Sequence, residues 1–110
     1  MSSMAFHPRG NTKALNVTTT SSATPINFAD SPNSHAFQFV NAGTKTCWVC
    51  AAQTAAGAVA VAPIDGTPAN GIPILAGEIV VYVFGPSFYF AAITSGADTT
   101  TLYITPGEGL

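Results

Sequence analysis

At 110 residues, 47% hydrophobic and only 7% charged, the chain has apolar surface for one core and too little length for two. Its net charge is −2 and its cations are confined to Arg9, Lys13 and Lys45, which argues against binding nucleic acid through a clustered basic patch. The longest apolar run, residues 79–84, is far short of the about 20 residues that a membrane-crossing helix needs.

The charge deficit is informative in itself. An average soluble domain carries roughly 25% charged residues, and a surface this poor in charge self-associates unless partners cover it. The composition therefore points to a protein that works inside an assembly.

In chain order, residues 1–10 hold Pro8 and Gly10, show no period, and contain one apolar anchor, Phe6. They predict either a disordered start or an N-terminal arm that docks on a neighbour through Phe6, His7 and Arg9, ahead of a single domain over 11–110. The same stretch lacks the basic and apolar regions of a secretory signal, so synthesis and use in the cytosol are expected.

Short strands follow. Residues 13–19 place Leu15 and Val17 on one face, 24–28 place Ile26 and Phe28 together, and 36–41 turn Phe37 and Phe39 inward with Gln38 outward. After Ala42-Gly43, residues 46–51 set Cys47, Val49 and Ala51 against Thr46, Trp48 and Cys50, and the short connection predicts a hairpin. A helical turn competes over 51–56, limited by Gly57. Alternation at 58–62 predicts a strand with Val59 and Val61 on one face, ended by Pro63, and residues 65–71 are the clearest loop.

Residues 78–84 run Glu-Ile-Val-Val-Tyr-Val-Phe, which predicts a strand covered on both faces. Strands over 87–93 and 99–105, with Leu102 and Ile104 sharing a face, are expected to form a second hairpin at the centre of the core. Seven or eight short antiparallel strands with frequent turns predict an all-β sandwich, with the jelly roll as one form it can take. Its charge-poor edge strands would be open to pairing with another chain.

Chemistry finds little footing. Cys47-Trp-Val-Cys50 has redox or zinc spacing, but on a strand residues three apart face opposite ways, and only His7 and His35 could add nitrogen ligands. Free thiols, buried or half-buried, are expected, with no disulfide, metal or cofactor. A Ser/His/Asp set assembled from His35 with Asp30 or Asp65 has no nucleophile elbow, and Asp30 to His35 reads as a polar loop. Asp30, Asp65, Glu78, Asp98 and Glu108 never form a close pair. Trp48, Tyr82, Tyr89 and Tyr103 could make a sugar or peptide platform, although their apolar strands argue for packing roles. No catalytic residue is expected and the chain is not read as an enzyme.

Phe39-Val-Asn-Ala-Gly-Thr44, Pro73-Ile-Leu-Ala-Gly-Glu78, Phe88-Tyr-Phe-Ala-Ala-Ile-Thr-Ser-Gly96 and Leu102-Tyr-Ile-Thr-Pro-Gly-Glu-Gly109 follow one another in an order that resembles small β-sandwich structural proteins of tailed-bacteriophage heads, including capsid decoration (cement) proteins. The resemblance spans about residues 11–109 and rests on strand and turn features. It implies a virion component on the capsid surface, assembled in the host cytoplasm, that binds the major capsid protein or other virion proteins and clamps capsid subunits together, with no catalytic residues. Lattice symmetry makes a closed homo-oligomer, a trimer or a dimer, the expected unit. The alternatives are a low-copy neck, tail or fibre-base adaptor, and a sugar- or peptide-binding β-sandwich module.

Overall fold

A computed structural model of the chain describes residues 6–22, 25–29, 33–85, 88–95 and 98–108. Among them are nine strands and no helix: β1 (His7–Pro8), β2 (Lys13–Val17), β3 (Ile26–Asn27), β4 (Ala36–Asn41), β5 (Cys47–Ala52), β6 (Ile72–Ile74), β7 (Ile79–Val83), β8 (Tyr89–Thr94) and β9 (Thr100–Glu108). They form two antiparallel sheets. In the first, β9 is flanked by β4, which leads on to β7, and on its other side by β2 and β1 in succession along its length; the second runs β3-β8-β5-β6.

The pairings nest. β2 pairs with β9, β3 with β8, β4 with β7 and β5 with β6. A long two-stranded ribbon folded at β5–β6 would make these four pairs. Rolling that ribbon brings β4 beside β9 and β5 beside β8, which completes both sheets. The chain therefore changes sheet at most of its connections.

Alternation decides what lies between the layers. Leu15 and Val17, Phe37 and Phe39, Cys47 and Val49, Phe90 and Ala92, and Leu102 and Ile104 all enter one apolar cluster. Phenylalanines from both sheets meet at its centre: Phe90 lies 4.9 Å from Phe37 and 5.5 Å from Phe39, ring centre to ring centre, both in edge-on contact. Such pairs add about 0.5–1.5 kcal/mol beyond the area they bury.

The structure corrects several sequence expectations. Residues 36–41 and 46–51 are not a hairpin, because β4 and β5 lie in different sheets. Asn41 makes the corner between them. Its side chain is fully buried; its amide donates to the carbonyls of Lys45 (2.8 Å) and Ile74 (2.9 Å), and its oxygen accepts from the Gly43 N–H (3.1 Å) and the Thr100 hydroxyl (2.6 Å). Gly43 is required there, since a Cβ would collide with Thr100. Likewise β8 and β9 pair in separate sheets rather than as a hairpin, although Phe90, Leu102 and Ile104 do lie at the core's centre.

Residues 58–62 are not a strand. The alternation holds, with Ala58 and Ala60 inward and Val59 and Val61 exposed, but the backbone is held by side chains: Ala60 N–H donates to Ser21 Oγ, Val61 N–H to Asn70 Oδ1, and Asn70 Nδ2 to the Val59 carbonyl. Two strands have no alternating pattern of their own: β1 is two residues long, and β6 is interrupted by Pro73. Finally, residues 79–83 are not covered on both faces, and this bears directly on function.

Candidate interaction surface

The two outer faces of the sandwich differ. On the second sheet, the segment between β5 and β6 folds back over the strands, burying Ala58 and Ala60 against Cys50 and Ala91. Gly71 N–H donates to the Val61 carbonyl, and a Cβ on Gly71 would lie 2.7 Å from the Trp48 Cβ. That close approach makes glycine necessary.

The outer face of the first sheet carries no such layer among the described residues. Registration places Ile79 of β7, Val40 of β4, Tyr103 of β9 and Ala14 of β2 in one row across four strands. The next row holds Val81, Gln38 and Thr105, and Thr12 bonds Thr105 through their hydroxyls at 2.7 Å. Ile79 is 59% exposed, Val83 58% and Tyr103 39%, and these two rows contain no ionisable group other than the Tyr103 phenol. At the far end Phe6 closes the face. It is buried, and a Cβ on Gly107 would come within 2.6 Å of its ring.

Phe6, expected to reach a neighbour, therefore fills a place on its own sheet. His7 and Arg9 are exposed, and β1 pairs His7 with Glu108 on β9. Arg9 lies 3.5 Å from Glu108 in an exposed ion pair of the kind worth at most about 1 kcal/mol. The rest of the expected arm, residues 1–5, lies outside the described residues, as do Thr24, Asp30 and Ser87 of other expected features.

Cys47 and Cys50 are free thiols on opposite faces of β5, Cys47 in the main core and Cys50 in the smaller cluster under the covering segment. Burial pushes the Cys47 thiol up to about 11 and raises that of Cys50. Both are thus held as neutral thiols, poor nucleophiles and poor metal ligands at neutral pH. Among the described residues, no three His, Cys, Asp or Glu side chains gather as metal ligands would.

His35 is exposed at the start of β4, where its carbonyl accepts from Phe84 and Gly85. Asp65 sits in an exposed turn, Asp98 pairs with Lys45 at 3.9 Å, and Glu78 accepts from the Leu75 N–H at 2.8 Å. Glu78, Asp98 and Glu108 each serve their own loop or surface pair.

The four aromatic candidates do not form one platform. Tyr82 packs among Phe39 and Phe84, and Tyr103 lies on the open face of the first sheet. Tyr89 sits with the smaller cluster on the second sheet, and Trp48 donates from Nε1 to Ser95 Oγ at 3.3 Å. The chain matches no protein-family model, no curated protein and no solved structure.

Proposed function

We propose that this chain is a structural subunit of a virus particle, a decoration or cement protein that sits on the outside of a phage capsid and holds neighbouring capsid proteins together. The observation that carries the reading is the bare outer face of the first sheet, with its uncharged row Ile79, Val40, Tyr103 and Ala14. Burial at roughly 25 cal/mol per Å² makes such a row a source of adhesion, and repetition across a lattice multiplies modest contacts into firm attachment.

The wiring adds support. The four nested strand pairs support reading the sandwich as a jelly roll, a form that recurs in viral capsid and lectin domains. Fold alone does not assign function. The capsid reading is preferred over the lectin one because the aromatic side chains are spread over separate surfaces, and a sugar site needs them side by side.

The test is to heat or osmotically shock purified particles with and without the protein, at low and high salt. Decorated particles should survive better at both salt concentrations, because apolar contacts are not screened as ion pairs are within about 10 Å at 0.1 M. Replacing Tyr103 by Lys on the exposed face should leave the domain folded and abolish attachment. Equal survival of bare and decorated particles would refute the cement reading, and release by salt alone would refute the apolar mechanism.

A further inference from the structure

A sheet edge offers unpaired backbone groups to any other strand unless it is blunted, usually by proline, charge or shortness. Three of the four edges here are blunted. β6 is three residues long with Pro73 at its centre. β3 has two residues, and the edge of β8 beyond it is occupied by Ser22, whose Oγ bonds both the N–H and the carbonyl of Ala92, and by the Thr18 carbonyl, which accepts from the Thr94 N–H. The edge formed by β1 and β2 carries Pro8, Arg9 and Lys13.

Among the described residues, the fourth edge, β7, has neither proline nor charge within the strand, and Glu78 just before it is turned back onto the Leu75 N–H. Its five residues are Ile-Val-Val-Tyr-Val. The Asn41 N–H donates to the Glu78 carbonyl and the Phe84 N–H to the His35 carbonyl, which fixes the alternation along the β4–β7 ladder. The Glu78 carbonyl and the backbone groups of Val80, Tyr82 and Phe84 therefore turn to β4, whereas Ile79, Val81 and Val83 turn theirs outward. These same three residues put their side chains on the bare face, and the two most exposed, Ile79 at 59% and Val83 at 58%, stand at equal distances either side of Val81.

From this symmetry we infer that β7 pairs antiparallel with β7 of a second copy about a two-fold axis through Val81, joining the two first sheets into one continuous sheet. Val81 then faces Val81 of the other copy and Ile79 faces Val83, in both directions. All three pairs are of the hydrogen-bonded kind and exchange two bonds each. Each exposed Ile79 is covered by a Val83. The contact is isologous, so it closes at a dimer and uses up the open edge. It does not depend on the capsid reading, because it concerns the free protein.

Sedimentation equilibrium of the full chain at micromolar concentrations should show a dimer. Val81→Pro removes an outward N–H without breaking the β4 ladder, and Val81→Lys sets two ammonium groups across the axis. Each should weaken dimerisation by about tenfold or more while the circular dichroism of the fold persists. If the proline variant fails to fold, the lysine variant still decides the matter.

Register is tested by cysteine. Cα atoms of a hydrogen-bonded pair lie about 5.5 Å apart, within the roughly 4.4–6.8 Å that a disulfide spans, so Val81→Cys should cross-link to itself under mild oxidation. Ile79→Cys should not, because its counterpart across the axis is about 13 Å away along the strands, but it should cross-link when mixed with Val83→Cys. A monomer or a trimer in solution, a dimer indifferent to Val81→Lys, or self-linking of Ile79→Cys as fast as Val81→Cys would each overturn the inference.

Discussion

Replacing Asn41 by alanine should be among the most damaging single changes in this chain. The side chain is fully buried and makes four hydrogen bonds at the corner where the chain passes from β4 to β5. Those to the Ile74 carbonyl and the Thr100 hydroxyl are buried, whereas the Lys45 carbonyl and the Gly43 N–H are near enough to solvent to find water. Orphaning a buried polar group costs about 1–3 kcal/mol, so two of them predict a loss of about 3 kcal/mol, out of a typical total of about 5–15. Urea unfolding followed through Trp48 fluorescence measures it. With a slope of about 1.5 kcal/mol per M, the midpoint should fall by about 2 M with the slope unchanged. Asn41→Asp should do at least as much harm, because it sets lone pairs against the Lys45 and Ile74 carbonyls. Gln38→Ala, on the half-exposed outer face of the same strand, should stay within about 0.5 kcal/mol. An Asn41→Ala loss under 1 kcal/mol would refute the view that this side chain holds the corner.

Two further outcomes follow from burial. Cys47 ionises near its ordinary value of 9.0 when unfolded but near 11 when folded, so its contribution is intact below pH 9 and is lost as pH rises toward 11, by about 2–3 kcal/mol in all. Urea midpoints taken across that window should fall more steeply for the native chain than for Cys47→Ala, and parallel curves would refute it. Phe6→Ala should cost about 2 kcal/mol from the lost cover over Gly107, measured by the same unfolding, while His7→Ala on the exposed strand should cost almost nothing. Equal midpoints for the two would mean that Phe6 does not hold β1 to its own sheet.

Local alternation made the central strands legible. Phe37 and Phe39 against Gln38, and Cys47 and Val49 against Trp48 and Cys50, follow from a period of two that requires no knowledge of the neighbours. The period says which side chains share a face and nothing about which sheet a strand joins, so β4 and β5 read as a hairpin when a buried Asn41 sends them to opposite layers. An asparagine at a strand end looks like any turn residue, and its four bonds come from partners as distant as Ile74 and Thr100. At 58–62 the alternation was legible but the hydrogen bonding was not, since Ser21 and Asn70 replace a partner strand. The interaction surface was the least legible part. An unbroken apolar run such as 79–83 has the pattern of a strand buried on both faces, and only the strand order exposes it as an edge.

That mismatch between pattern and position connects the composition to assembly. A run written for burial but placed at an edge implies that burial is completed by something beyond the described residues, and a charge of −2 per copy presents almost no electrostatic barrier to a second copy. Two of the few charges are occupied with each other at Arg9 and Glu108, and two at Lys45 and Asp98, while Glu78, just before β7, accepts from the Leu75 N–H. Concentration rather than ionic strength should therefore govern association. Uncontrolled growth is the hazard of such a surface, since an open edge can recruit strand after strand. A two-fold contact at β7 removes that hazard, because the edges left outermost in the pair are those carrying Pro8, Arg9 and Lys13. The bare face survives the pairing and doubles in breadth, with the Ile79, Val40 and Tyr103 rows of both copies on one side. A small domain paired in this way stays a discrete particle in solution while keeping a wide uncharged surface on one side.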